Sequence, residues 1–268
     1  MVSEVEGAIS SVERVISRYP SVMVAYSGGV DSSLLAYLAN RCTRTLAVIS
    51  DSPSLPRKGL SDAITFARRH HIKYRVIHSE EYLNEEYLSN PPERCYYCKK
   101  ATYGAMETLR KALGYEVIMD GTNIDDLKDI RPGIKAAGEM GIIFPYVEAG
   151  VNKQMIREMA RHLNLSIWDK PSSPCLSSRI PAGRRITPDA LSRVEKAENI
   201  LRDAGFRVVR VRDYYPEARV ELIPVDIERV RGVVHILKSL GYEKVLVSRR
   251  GYVPPGEREN ATEEFDEL

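Results

Sequence analysis

The residues of this chain best suited to chemistry are Ser27-Gly28-Gly29-Val30-Asp31-Ser32-Ser33 and a scattered set of cysteines. Gly28 and Gly29 put no bulky side chain between the backbone and a ligand. Asp31, Ser32 and Ser33 are good N-capping residues, and Leu34, Leu35 and Leu38 follow at helical spacing. Ahead of them, Val22-Met23-Val24-Ala25 is a short apolar run suited to a buried strand. The stretch 22–40 therefore reads as strand, glycine turn, helix. Unpaired N–H groups at such a helix N-terminus favour an anion. The turn is not a Walker A loop: GxxxxGK[ST] is absent, and with it the lysine that reaches terminal phosphates.

The four cysteines are Cys42, Cys95, Cys98 and Cys175. Cys42, near the end of an apolar helix, reads as a packed thiol. Cys95 and Cys98 form a CxxC just ahead of a helical pattern, and Cys175 lies in a proline- and serine-rich segment. A structural zinc site needs four ligands, and no histidine here has ligand spacing. Three thiolates without a fourth ligand suit a [4Fe–4S] cluster with one open iron, able to carry a sulfide. A single reactive Cys175 beside a structural CxxC fits the residues equally well.

The elements that must position these groups alternate. Val5, Ile9, Val12 and Ile16 share a helical face in 4–18. Strands are predicted at 45–50, 74–78, 116–120 and, shorter, 142–147. Helices are predicted at 59–70, 80–89, 98–113 and 153–163. Alternating strands and helices imply a parallel sheet covered on both faces. Ligands of such sheets bind at the carboxyl ends of the strands. The glycine turn, Ser52 and Gly121-Thr122-Asn123 all fall there.

A connector rich in proline and serine runs from Asp169 to Pro188. After it come a helix at 190–204, strands at 207–212 and 218–223, a helix at 227–240 and a strand at 244–248. The expected fold is α/β: a Rossmann-like domain over 1–170, a smaller α/β domain over 171–253, and a polar, acidic tail over 254–268 without fixed structure.

Composition narrows the function classes. A formal net charge of +2 supplies no general attraction to nucleic acid. No apolar run is long enough to span a membrane. The first ten residues carry Glu4 and Glu6 and no basic stretch, unlike a secretory signal, so a cytoplasmic location is expected. In a reducing compartment, cysteines serve metals or catalysis rather than disulfides.

The SGGxDS pattern resembles the PP-loop of the ATP pyrophosphatase superfamily. That resemblance implies ATP cleaved between its α and β phosphates, Asp31 helping to hold Mg²⁺, and Ser27, Ser32 and Ser33 bonding phosphate oxygens. Further segments follow in order: SPSLPR at 52–57, PPERCYYCK at 91–99, GTNIDD at 121–126 and PCLSSRIPAGRRIT at 174–187. VEKAENILR at 194–202, RVRDY at 210–214 and ARVEL at 218–222 complete the set. Together they resemble the LarE-type, ATP-dependent sulfur transferases, which help to make the nickel-pincer nucleotide cofactor.

The resemblance implies a pyridinium mononucleotide substrate, a carboxylate adenylated with release of pyrophosphate, and displacement of AMP by sulfur. In members with a single cysteine at the position of Cys175, that residue surrenders its sulfur and becomes dehydroalanine. With Cys95 and Cys98 as well, this chain resembles the subset that carries an iron–sulfur cluster. Arg210, Arg212, Glu198 and Glu221 match positions around the substrate nucleotide. Arg210 and Arg212 alternate on a strand and so face one side, which suits a phosphate; an ordinary Arg–Glu221 pair is the plainer alternative. Arg179, Arg184 and Arg185 are further phosphate candidates. The resemblance also implies a homo-oligomer.

Rival readings keep the loop and change the acceptor. A tRNA-thiolating enzyme would combine it with CxxC and a third cysteine, but needs a broad basic surface. An amidating ligase of the NAD synthetase type has no use for three cysteines. A nucleotide-binding module with a degraded site is opposed by the intact SGGVDSS.

Overall fold

In a computed structural model of the chain, residues 2–128, 132–223, 225–253 and 264–268 are described. The chain divides into two compact units. One comprises Met1–Tyr87 and Glu93–Ser173; the other comprises Leu88–Pro92 and Pro174–Leu268.

The first unit begins with helix α1 (Val2–Ile16), whose Val5, Ile9, Val12 and Ile16 are buried as their spacing requires. Then come β1 (Ser21–Ala25), α2 (Val30–Cys42), β2 (Arg44–Asp51), α3 (Arg57–Arg69) and β3 (Tyr74–His78). The predicted helix at 80–89 is broken into a 3-10 turn, Glu81–Leu83, and the single turn α4 (Glu85–Leu88). After α5 (Arg94–Leu113) come β4 (Val117–Asp120), α6 (Pro132–Glu139), α7 (Pro145–Glu148) and α8 (Lys153–His162).

The four strands form an all-parallel sheet in the order β3-β2-β1-β4. Alternate residues feed opposite faces, as the two-residue repeat of a strand dictates. Val22, Val24, Ala47 and Ile49 pack with α1, α2 and α8. Met23, Leu46 and Val48 pack with Tyr103, Met106 and Ala137 of α5 and α6. A sheet covered on both faces needs strands that are apolar throughout, and β1 is buried from Ser21 to Val24.

Two further expectations fail locally. The fifth strand at 142–147 is absent: Ile143 makes one isolated bridge to Met119, and Pro145 then starts α7. Proline cannot donate to a ladder but suits the first turn of a helix. The CxxC also lies within α5 rather than ahead of it, because the helix starts at Arg94, two residues past Pro92.

The second unit holds α9 (Pro188–Asp203), β5 (Val208–Tyr214), β6 (Glu217–Ile223), α10 (Ile227–Ser239), β7 (Lys244–Ser248) and β8 (Phe265–Glu267). Thr187 caps α9 by accepting from the Ala190 N–H, and Pro188 occupies its first turn. The sheet runs β5-β6-β7-β8, with β6 and β7 parallel and the other pairs antiparallel. Its core gathers Leu201, Val209, Val211, Val220, Leu222, Leu237 and Val245. Of the tail read as structureless, 254–263 lie outside the described residues. Phe265–Glu267 pairs with β7, its alternation too short to stand out in the sequence.

Candidate active site

In the first unit the parallel register brings Ala25, Asp51 and Asp120 to the same edge of the sheet, at the ends of β1, β2 and β4. The chain leaves β1 through Tyr26 and turns at Ser27-Gly28-Gly29 into α2. Burial pushes the Tyr26 phenol up to about 12, and its hydroxyl donates to the Ala63 carbonyl on α3 at 2.9 Å. Gly28 has φ +74°, and a Cβ there would lie 2.7 Å from the Ala63 Cβ. Glycine is required twice over, by backbone conformation and by the approach of α3. Gly29 caps α2 without a side-chain bond. The Ser32 hydroxyl braces the turn, meeting the Gly29 carbonyl at 3.3 Å and the Ser27 N–H at 3.2 Å. Val30 and Ser33 are buried beneath the turn.

Asp31 opens α2. One of its carboxylate oxygens, Oδ2, takes the Lys153 ammonium from the start of α8. The other, Oδ1, is buried with no hydrogen-bond partner among the described residues. Its backbone carbonyl accepts from the Tyr146 hydroxyl at 3.0 Å. Gly121 presses on the same spot: a Cβ there would be 3.0 Å from the Asp31 carbonyl carbon and the Ser32 nitrogen. The Thr122 and Asn123 side chains serve the loop itself. Thr122 donates to Asp120 Oδ1 at 2.8 Å, and Asn123 forms a reciprocal cap with Asp126. Ser52 is buried, 2.9 Å from the Ser54 hydroxyl. An unpartnered carboxylate oxygen is a fit for a hard divalent cation. Mg²⁺ commonly takes one or two protein carboxylates and the phosphates of its nucleotide.

Behind this edge, Asp120 Oδ2 accepts from Lys99 Nζ and Tyr103 Oη, both at 2.8 Å. Burial alone would raise the Asp120 carboxyl. The Lys99 charge and the Lys99, Thr122 and Tyr103 bonds outweigh it, and the carboxyl is held below its ordinary value. Burial works against the Lys99 charge in turn, and Asp120 more than reverses it. Cys95, exposed, and Cys98, half-buried, sit three residues apart on α5, on one face of the helix.

In the second unit half-buried Cys175 precedes the 3-10 turn Leu176–Arg179. Its carbonyl accepts from the Ser178 hydroxyl at 2.8 Å and from Arg179 Nη1 at 3.1 Å. The Arg212 guanidinium grips Glu221 at 2.8 and 3.1 Å and donates to the Ser178 carbonyl at 2.7 Å. A cavity of about 210 Å³ opens here, with Ser178, Arg179, Arg212, Tyr214, Arg219 and Glu221 among its walls. Each of its three guanidinium groups is paired with a carboxylate, Arg179 with Glu198, Arg212 with Glu221 and Arg219 with Glu217. Arg210 is buried, its guanidinium 4.7 Å from the centre of the Tyr252 ring. Burial, with Arg179 nearby, holds its pKa below the usual arginine value. Glu198 is also buried, its carboxylate engaged by Arg179, Arg202 and the Val211 N–H. Neither Arg210 nor Glu198 is among the cavity's lining residues.

Within neither unit do three or more His, Cys, Asp or Glu side chains of the described residues form a group able to hold a metal. No protein-family model matches the chain. An uncharacterized protein of Synechocystis is 37% identical over 92% of this chain and 95% of its own. An uncharacterized protein of Methanocaldococcus jannaschii is 33% identical over 86% of this chain and 90% of its own. The pyridinium-3,5-bisthiocarboxylic acid mononucleotide synthase of Lactiplantibacillus plantarum is 32% identical over 86% of both chains. The chain belongs to the LarE-type sulfur transferases of the PP-loop superfamily. As a LarE-type protein it is an ATP-using enzyme, a sulfurtransferase.

Sequence reasoning missed four residues that the structure brings to the loop, Asp31 or Asp120. Lys153, Tyr146 and Lys170 reach the loop from more than a hundred residues away; Lys170 Nζ meets the Gly28 carbonyl at 3.0 Å. Lys99 follows the CxxC directly, but its partner Asp120 ends a strand where an apolar run hides it. No local pattern marks any of the four.

Proposed function

We propose that the chain activates a carboxylate of pyridinium-3,5-biscarboxylic acid mononucleotide with ATP and converts it to a thiocarboxylate. The observation that carries this reading is the loop. Gly28 and Gly29 bare the backbone, Gly29 caps α2 without a side-chain bond, and Asp31 Oδ1 has no hydrogen-bond partner among the described residues. In this reading Mg²⁺ and ATP sit there, with Ser27, Ser32, Ser33, Ser52 and Gly121 to Asn123 around the nucleotide. The carboxylate oxygen attacks the α-phosphorus, the bond to the β-phosphate oxygen breaks, and pyrophosphate leaves. AMP is then a far better leaving group than the original carboxylate oxygen.

The cavity bounded by Arg212 and Glu221 is the proposed seat of the substrate phosphate, with Arg210 and Glu198 supporting it from behind. The sulfur comes from Cys175 itself or from a cluster. In the first case the thiolate displaces AMP, and breaking the Cβ–S bond leaves dehydroalanine and the thiocarboxylate. In the second, Cys95, Cys98 and Cys175 would hold a [4Fe–4S] cluster, which would supply sulfide. Two thiols on one face of α5 support that reading. No described helix is long and apolar enough to cross a membrane. We take the enzyme to be cytoplasmic and a homo-oligomer. Mass spectrometry of the nucleotide product tests the assignment. Replacing one carboxylate oxygen by sulfur adds about 16 mass units; an unchanged substrate mass after ATP consumption argues against it.

A further inference from the structure

The sheet of the second unit has two unlike faces. Val209, Val211, Val220, Leu222 and Val247 turn one face to the core. The two-residue repeat of a strand puts Arg212, Tyr214, Arg219 and Glu221 on the other. Arg212 and Arg219 stand directly opposite across β5 and β6, and the register carries their row on through Leu246 of β7 to Glu267 of β8. Phe265, two residues before Glu267, shares that face and is a wall of the cavity. Leu268 anchors the end of the chain on the core; half-buried Phe265 is not among the described residues that pack there.

Arg219 shows what this aromatic wall accepts. Its guanidinium lies 4.0 Å from the centre of the Tyr214 ring and 5.4 Å from that of Phe265. A flat cation thus rests against two aromatic rings, whose faces attract positive charge. Glu217 holds the guanidinium at 2.7 Å, and the Arg219 side chain is 32% exposed, which leaves it room to turn outward.

We propose that Tyr214 and Phe265 form the subsite for the pyridinium ring of the substrate, beside the phosphate at Arg212. The cationic ring takes the place of the Arg219 guanidinium against the two aromatic faces, and Arg219 turns to a carboxylate of that ring. Phe265, brought in by the last strand of the chain, is then a specificity-determining residue. The inference rests on the reading of this cavity as the seat of the substrate nucleotide. The plain alternative is that Phe265 only covers Arg219 at the edge of the sheet.

The two differ in which part of the ligand feels the loss. Titration calorimetry on the full chain compares the pyridinium dicarboxylate mononucleotide with ribose 5-phosphate, which has the phosphate and no ring. Phe265→Ala is expected to weaken the mononucleotide about tenfold, as loss of an aromatic stacking partner does, and to leave ribose 5-phosphate within about twofold. Phe265→Tyr keeps an aromatic face and should recover most of the loss; Phe265→Leu, apolar without one, should not. Thermal unfolding checks that each variant is folded. Unchanged mononucleotide affinity in Phe265→Ala, an equal loss of both ligands, or full recovery by Phe265→Leu overturns the proposal. Failure of the cavity reading looks different: Arg212→Gln would then bind both ligands as tightly as wild type.

Discussion

Arg179 and Glu198 form a fully buried ion pair, Nε to Oε1 at 2.7 Å and Nη2 to Oε2 at 3.2 Å. The same guanidinium donates through Nη1 to the carbonyls of Pro174 at 2.9 Å and Cys175 at 3.1 Å. The pair therefore fixes the backbone that carries the proposed sulfur-bearing cysteine. Glu198 lies on α9, where Arg202 one turn on also meets it, and it extends the tie to β5 through the Val211 N–H. A buried pair of this kind adds little net stability, but losing one partner strands a charge.

Arg179→Met should accordingly destabilise the second unit by about 3–5 kcal/mol, and the double variant Arg179→Met with Glu198→Met by much less. Urea unfolding measures both. In the double variant the fold survives and the Cys175 turn loses its tether. Alkylation of Cys175 by iodoacetamide should then change in rate while that of Cys95 does not.

Gly28→Ala tests the close approach of α3 to the loop. The left-handed backbone and the 2.7 Å contact with Ala63 give the new methyl no room. A loss of about 1–3 kcal/mol is expected from strain and overpacking. Weaker ATP binding should accompany it, because relief requires the loop to move.

Asp120 makes stability depend on pH in one direction. Its carboxyl lies below the ordinary value of 3.8 in the folded chain. As pH falls the unfolded chain takes up that proton first, so this contribution is complete above about pH 5 and fades below about pH 4. The stability gap between wild type and Asp120→Asn should be constant from about pH 5 to 7 and shrink in more acid solution. A gap that widens on acidification would contradict the assignment.

Much of this was legible from residue types alone. The apolar run, the two glycines and the capping serines specify strand, turn and helix, and the strand–helix alternation gives the parallel sheet. The buried face of α1 follows from Val5, Ile9, Val12 and Ile16. What stayed hidden depends on contacts between distant segments. Ile142 and Ile143 read as strand because they are β-branched and apolar, yet Pro145 converts the segment to a helical turn. Arg179 read as a candidate phosphate clamp, whereas its pairing with buried Glu198 shows only in three dimensions. Glu198 read as a substrate contact, and its carboxylate is already shared among two guanidinium groups and an N–H.

The sulfur donor separates two further outcomes. Anaerobic preparation with iron and sulfide analysis, then intact-protein mass spectrometry after turnover, distinguishes them. About four irons per chain with Cys175 intact supports a cluster. Loss of about 34 mass units at Cys175, one H₂S, supports the sacrificial route. In both cases Cys175→Ser should abolish sulfur transfer while leaving pyrophosphate release within a few-fold of wild type.

Acceptor-dependent diphosphate release from ATP bears most directly on carboxylate activation. With Mg²⁺, ATP and the pyridinium dicarboxylate mononucleotide, the protein should liberate pyrophosphate only when the acceptor is present, and Asp31→Asn should slow this by about 100-fold or more. Formation of ADP and inorganic phosphate instead, or pyrophosphate release indifferent to the acceptor, would contradict the account.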